Sequence, residues 1–296
     1  MSRWLRDVPR KGYEALNRKR YGSRVSDREA ARPPRLVATD LDGTLVRSDR
    51  SISARTKTAV LSVQEAGAIF VMVTARPPRW MHLDNLDELV GAHGVAIVAN
   101  GAILYDVVQR KAIRTALIDP AVAIEVARAI RAEIPDVEFT IERSDRYGQE
   151  PAYLNRWPTP ENTLVAEVEE LLSEPAAKLL VRHPSWHSDD LLARIEPLVG
   201  HQVAASHSGG HSLVEISASG VSKAAMLAAF AADLGIPAEE TIAFGDSLND
   251  LPMLAWAGTS YGVANAHADV LAMVDVVCPS NDEDGVATVL EELFNF

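Results

Sequence analysis

The sequence predicts an α/β protein, with a parallel β-sheet flanked by helices and an α+β segment inserted between the two halves of that sheet. Three observations carry the prediction. Short apolar runs alternate with stretches of helical spacing from Arg35 onward. Roughly residues 116 to 212 differ in texture, mixing helices with short strands. Acids and a hydroxyl follow three of the apolar runs, which is where an open α/β sheet gathers its ligands. With 296 residues, one larger and one smaller domain are the natural expectation. Hydrophobic residues at 47% and charged residues at 24% match a folded globular chain and exclude the composition of disorder.

The first 35 residues carry eleven Lys and Arg against four Asp and Glu, and end at Arg32-Pro33-Pro34-Arg35. The paired prolines stiffen the backbone ahead of the first apolar run, so residues 1–34 are expected to be a basic N-terminal tail. Its partner is unknown from sequence. It reads as a solubilising or partly helical extension, the alternatives being an arm for membrane, nucleic acid or protein, or a targeting peptide. Strands of the main sheet are predicted at Leu36 to Thr39, Ile69 to Val73, Val95 to Ala99, Thr241 to Phe244, Tyr261 to Ala264 and Val274 to Cys278. Ala59, Val60 and Val63 give helical spacing over Ser53 to Ala66, with Ser53 as its cap. A second helix over Lys223 to Leu234 is stopped by Gly235 and Pro237. In the inserted segment, helices are predicted at Pro120 to Glu133, Glu161 to Ser173 and Asp189 to Val199. Strands are predicted at Val137 to Ile141, Ala177 to Val181 and His201 to Ser206. The expected division is therefore a core of residues 35–115 and 213–296 with an insertion of residues 116–212.

A formal net charge of -12 disfavours nucleic acid as a partner of the core, because phosphate backbones are held through Lys and Arg. The single cysteine, Cys278, sits among Val274, Val276 and Val277 and reads as a small buried hydrophobe rather than a catalytic thiol. No run approaches the roughly 20 apolar residues of a membrane span, and the first residues lack the apolar centre of a secretory signal. A cytoplasmic protein without a transmembrane segment is expected.

Chemistry is predicted at the strand ends. Asp40 and Asp42 follow the first strand, Thr74 follows the second, and Asp246, Asn249 and Asp250 follow the strand at 241–244. Lys223 opens a helix just after Ser217-Ala218-Ser219-Gly220. So many carboxylates would repel a bare phosphate, and hard oxygen donors without nitrogen call for Mg²⁺, which keeps several waters and takes one or two carboxylates plus substrate phosphate. Lys223 and Thr74 would then serve phosphoryl oxygens. Two acids one residue apart in an extended segment project in the same general direction, so Asp40 can act as nucleophile while Asp42 exchanges protons with leaving group and water. Gly43 permits the tight path after them, and Thr44 is placed to hold that loop.

Asp40-Leu41-Asp42-Gly43-Thr44-Leu45 resembles the first signature of the haloacid dehalogenase superfamily. Val73-Thr74-Ala75-Arg76-Pro77 resembles the second, Gly220-Val221-Ser222-Lys223 the third, and Gly245-Asp246-Ser247-Leu248-Asn249-Asp250 the fourth. Further segments, Asn100-Gly101-Ala102, Val214-Glu215-Ile216, Asn265-Ala266 and Asn281-Asp282-Glu283-Asp284-Gly285-Val286, are similar to the Cof type, subclass IIB. The resemblance covers residues 35–296. It implies a Rossmann-like core with an inserted α+β cap that sets substrate specificity, and a Mg²⁺-dependent phosphatase acting on small phosphomonoesters such as a sugar phosphate, nucleotide or cofactor phosphate. It also implies catalytic roles for Asp40 and Asp42, phosphate binding by Thr74 and Lys223, and metal ligation by Asp40, Asp246 and the backbone carbonyl of Asp42. Asn249 and Asp250 would support the acidic cluster, and Arg76 and Asn100 would face the substrate. Ala75 stands where such proteins usually carry Gly, and the turn before Asn265 lacks their usual Met-Gly pair.

Two other functions compete. A mutase or phosphotransferase of the same fold would exchange phosphate without releasing it, and a non-catalytic protein would act through the basic tail. The histidines His183, His187, His201, His207 and His211 have no metal-ligand spacing, and the His207–His211 turn reads as surface. Trp157 and Trp186 read as packing residues.

Overall fold

The computed structural model describes residues 33–84, 86–90, 94–144, 146–153, 155, 159–207 and 212–296. The tail up to residue 32, Trp157 and His211 lie outside these residues. The chain opens with β1 (Leu36–Thr39), α1 (Ala54–Glu65), β2 (Ile69–Val73), β3 (Val95–Val98), β4 (Ile103–Asp106) and β5 (Lys111–Thr115). It continues through α2 (Pro120–Glu133), β6 (Glu138–Glu142), β7 (Tyr147–Gln149), β8 (Leu164–Val165), α3 (Val168–Leu171), β9 (Lys178–Arg182), α4 (Ser188–Val199), β10 (Val203–Ser206) and β11 (Leu213–Ala218). It then returns with α5 (Lys223–Asp233), β12 (Thr241–Gly245), α6 (Leu251–Trp256), β13 (Thr259–Val263), α7 (Ala268–Met273), β14 (Val276–Cys278) and α8 (Gly285–Phe294).

These strands form two sheets within a single unit, Pro34–Phe296. The eight-stranded sheet has the order β14-β13-β12-β1-β2-β3-β4-β5. It is parallel from β14 to β3, and β4 and β5 extend it as an antiparallel hairpin. Period-two alternation sorts its residues between two helical layers. Val37, Phe70, Met72, Ile242 and Phe244 pack with Val60 and Val63 of α1 and Leu290 of α8. Leu36, Ala38, Val71, Val73 and Ala243 pack with Met226, Leu227 and Phe230 of α5 and Leu254 of α6. A sheet covered on both faces explains why β1 and β2 read as near-continuous apolar runs. Its central strands β12, β1 and β2 all point their carboxyl ends to one rim.

The six-stranded sheet has the order β10-β11-β9-β6-β7-β8. One of its faces is apolar, with Phe139, Ile141, Leu179, Val181, Val214 and Ile216 buried against Val126 and Ile130 of α2 and Leu191 and Ile195 of α4. Alternation sends Thr140, Glu142, Lys178, Glu215 and Ser217 to the opposite face, where all five are nonetheless buried. Charged residues buried on a sheet face require partners, and these have them on the main sheet's loops.

Two expectations need correction. Leu213–Ala218 was expected in the main half of the chain, yet it pairs antiparallel with β9 and β10. Val214 and Ile216 gain burial against α2 and α4 only in that sheet. The helix expected over Glu161 to Ser173 is reduced to α3, because Leu164 and Val165 pair in parallel with Gly148 and Gln149. Thr163 turns back through its amide and hydroxyl to the Pro160 carbonyl. Backbone pairing with β7 outweighs the weak local helix propensity there.

Behind the rim, Asn100 and Gly101 form a turn with φ of 57° and 99°. A Cβ on Gly101 would lie 2.1 Å from the Ser222 carbonyl oxygen, at the start of α5. Both the left-handed backbone and this contact with main-chain atoms require glycine. Gly101→Ala is therefore expected to lower the unfolding free energy by at least about 2 kcal/mol. Denaturant titration of the full chain checks this, and an unchanged midpoint would refute it.

Candidate active site

Asp40 follows β1 directly, and its amide continues the pairing with β12 by donating to the Phe244 carbonyl at 3.0 Å. Its carboxylate is buried. Lys223 is the first residue of α5, whose N-cap Ser222 accepts from the Ala225 amide. From there its ammonium donates to Asp40 Oδ1 at 2.5 Å and to Asp250 Oδ1 at 2.6 Å. Asp250 Oδ2 accepts from the amides of Asp246 and Ser247 at 3.1 and 3.0 Å. Burial alone would push the Lys223 ammonium down, but the charges of Asp250 and Asp40 outweigh it and hold it above its ordinary value. Burial pushes Asp40 well up against the opposing pull of Lys223, and the charges of Asp250 and Asp246 add to that rise. Removing the ammonium would leave two buried carboxylates facing each other, a change worth about 3–5 kcal/mol.

Asp246 follows β12 and accepts from the Thr44 hydroxyl at 2.9 Å through Oδ1. Its Oδ2 occupies the space a side chain at position 43 would fill, since a Cβ on Gly43 (φ 83°) would lie 2.6 Å from it. Asn265 fixes the same loop by donating to the Gly43 carbonyl at 2.8 Å. Asp40, Asp246 and Asp250 each bring one oxygen to within 4.8 Å of the others. Because Lys223 and two amides already occupy Asp250, the oxygens left for a cation belong to Asp40 and Asp246. This all-oxygen set fits a hard divalent ion such as Mg²⁺. Burial, followed by the charge of Asp250, raises Asp246 to about 6.

Asp42 behaves differently. Its side chain is 62% exposed, and Arg76, whose side chain is 6% exposed, grips both its oxygens from Nε at 2.8 Å and Nη2 at 2.6 Å. Arg76 Nη1 donates to Asp84 Oδ2 at 2.9 Å. Arg76 was expected to face the substrate, and its guanidinium is bonded to Asp42 and Asp84. Thr74, buried after β2, accepts from the Arg76 amide at 3.0 Å through its hydroxyl oxygen, which leaves the hydroxyl proton available to donate.

Asn100, also expected to face the substrate, accepts from Asn249 Nδ2 at 3.2 Å and donates to Glu215 Oε2 at 2.5 Å. Lys178 donates to that same Glu215 oxygen at 2.9 Å and to the Ala75 carbonyl at 2.9 Å. Glu215 and Lys178 thus tie the six-stranded sheet to the loops carrying Thr74 and Asn249. No functional role was assigned to either from sequence. The available signal was a charge between Val214 and Ile216, and another opening Leu179-Leu180-Val181, because charge inside an apolar strand needs a buried partner. Among the described histidines, His207 pairs with Asp189 at 2.9 Å and the His183 ring lies 5.0 Å from that of Trp186. None joins the acidic cluster.

Residues 37–290 match the haloacid dehalogenase-like hydrolase family, which spans both sheets and every residue above. The chain belongs to this family. Among its relatives, the Bacillus subtilis 5-amino-6-(5-phospho-D-ribitylamino)uracil phosphatase YitU is 26% identical over 279 residues, covering 88% of this chain and 98% of that protein. The Escherichia coli pyridoxal phosphate phosphatase YbhA is 26% identical over 86% of this chain and 96% of its own. The solved structure of SMU.1108c from Streptococcus mutans superposes with a TM-score of 0.75 at 21% identity, covering 89% of this chain and 100% of that one. The subclass IIB sugar phosphatase BT4131 gives 0.72 at 20% identity, covering 87% and 98%. With its inserted α+β layer, the hydrolase is of the Cof type.

Burial lifts the Asp246 carboxyl from its ordinary 3.8 in the unfolded chain to about 6 in the folded one. Between these values the folded chain holds a proton that the unfolded chain lacks, so without divalent cation stability falls as pH rises through that window. Asp246→Asn is expected to flatten the dependence and to raise stability at pH 7 by on the order of 1 kcal/mol, about 2–4 °C in Tm. Mg²⁺ is expected to raise Tm above pH 6 in the unmodified protein but not in the variant. Identical Tm curves against pH, with and without Mg²⁺, would refute the assignment.

Proposed function

We propose that this hydrolase releases phosphate from small phosphomonoesters through an aspartyl-phosphate on Asp40. One observation carries the reading, the contrast between two acids that stand one residue apart. Asp40 is buried against an ammonium, whereas Asp42 is exposed on the rim under a guanidinium. The protein is a phosphoric monoester hydrolase, and the contrast supports a different step for each acid.

Asp40 attacks phosphorus, the bond from phosphorus to the leaving oxygen breaks, and Asp42 supplies the proton that oxygen needs. Asp42, now a carboxylate, takes a proton from water as the water oxygen attacks the phosphoaspartate. The bond from phosphorus to Asp40 breaks, freeing phosphate and restoring both acids. Arg76 holds Asp42 as a carboxylate at the rim, and Asp42 leaves that grip and takes up a proton before it acts as the acid. Lys223 opposes the upward push of burial on Asp40 and sets positive charge beside the phosphoryl oxygens, and Thr74 donates to one of them. Asp40, Asp246 and the Asp42 carbonyl would hold Mg²⁺, with Asn249 and Asp250 in support. The bound ion would neutralise phosphoryl charge and offset repulsion among the acids.

The six-stranded layer acts as a cap over this rim, and the polar face toward the rim suits a small polar substrate. That two relatives are named for a phosphoribityl-aminouracil and for pyridoxal phosphate supports a small phosphorylated metabolite. Asp40→Asn is expected to lower phosphate release by at least about 10³-fold, and Asp42→Asn by about 10²–10⁴-fold. Chelation should stop release and added Mg²⁺ restore it. A phosphate-release assay over a panel of phosphomonoesters checks each, and release surviving in Asp40→Asn would overturn the reading.

A further inference from the structure

The loop that begins at Thr74 and carries Arg76 also carries Arg79, whose side chain reaches the polar face of the six-stranded sheet. Arg79 Nη2 donates to Glu142 Oε1 at 2.6 Å. Its guanidinium also stacks against Trp80 at 4.8 Å and Tyr147 at 4.9 Å. Arg79 Nε, Arg79 Nη1 and Glu142 Oε2 are buried without hydrogen-bond partners. Buried charged groups ordinarily fill their donor and acceptor capacity, so valences left open on two facing charges mark a place made for another molecule. Glu142 is itself almost fully buried, with a side chain only 6% exposed.

The place is linked to the loop that carries Thr74. Glu142 pairs in register with Lys178, whose ammonium grips the Ala75 carbonyl, one residue from Thr74. Arg79 is five residues beyond Thr74, at most about 17 Å of extended chain. We propose that Arg79 and Glu142 read the leaving group of the substrate, selecting a neutral group that offers a hydrogen-bond donor to Glu142 and an acceptor to Arg79. Hydroxyls of a polyol and the imide edge of a heterocycle share that chemistry. A second anionic group is disfavoured, because Arg79 with Glu142 and Lys178 with Glu215 cancel in charge. Burial lifts Glu142 to about 7 against the pull of Arg79 and Lys178, with Glu215 adding to the rise, as befits a carboxyl whose second oxygen lacks a donor.

This inference rests on the phosphatase reading, and its test separates the two. With Mg²⁺, kcat/KM is measured for a pentitol phosphate, uridine monophosphate and phenyl phosphate, using the unmodified full chain, Arg79→Lys and Glu142→Gln. The unmodified protein is expected to prefer the pentitol or the uridine ester over the phenyl ester, and whichever is preferred identifies the group. In both variants that preference ratio is expected to fall about tenfold or more, mainly through KM, as for the loss of one charged hydrogen bond. A general folding or closure defect would lower all three rates together, and an unchanged ratio in either variant would overturn the subsite. Equal use of all three esters by the unmodified protein would overturn the subsite alone. Phosphate release from none of them would overturn the hydrolase reading and the subsite with it.

Discussion

Lys223 stands buried between Asp40 and Asp250, in direct contact with both, and the rest of the site is arranged around that ammonium. It joins three segments far apart in sequence: the end of β1, the start of α5 and the loop after β12. Without it the sheet would bring buried carboxylates together with nothing to offset their charge, and burial would keep them protonated. Asp250 is the second half of the clamp, since its remaining oxygen orders the amides of Asp246 and Ser247. Position and ionisation of Asp40 are therefore set by the same contacts.

From that centre the polarity is graded outward. Asp246 is partly buried and tuned upward, while Asp42 lies in solvent under Arg76. Beyond them, Asn100, Glu215 and Lys178 form a buried polar chain from the Asn249 loop into the second sheet. Buried ionic contacts of this sort add little net stability compared with apolar packing, but breaking one partner is costly. Such contacts hold an arrangement. They fix the second sheet's polar face against the loops that carry Thr74 and Arg76.

Much of this was legible beforehand, for a physical reason. A parallel sheet delivers its strand ends to one rim, so Asp40, Thr74, Asp246 and Asp250 could be assigned to it from the apolar runs before them, and Lys223 from its spacing to Gly220. Other features were not legible because their partners are remote. Arg76 has the composition of a phosphate ligand, and only folding puts Asp42 and Asp84 on opposite sides of its guanidinium. The β4–β5 hairpin continues an otherwise parallel sheet with antiparallel strands, which no local period distinguishes. The helix expected over residues 161–173 lost to pairing with β7, and β11 changed sheets because its apolar residues find their cover on α2 and α4.

By itself the sequence determined the α/β class, the rim and the acidic cluster with its ammonium. Each of these follows from short-range order, as apolar period, strand ends and the alternation of side chains act within a few residues. Tertiary structure alone decided how strongly burial pushes Asp40 and Asp246 upward and which guanidinium grips Asp42. It also decided where β11 belongs and which charges of the second sheet meet the core. Those properties depend on burial and on contacts between residues remote in sequence, 183 positions for Asp40 and Lys223 and 202 for Thr44 and Asp246, and a chain acquires them only on folding.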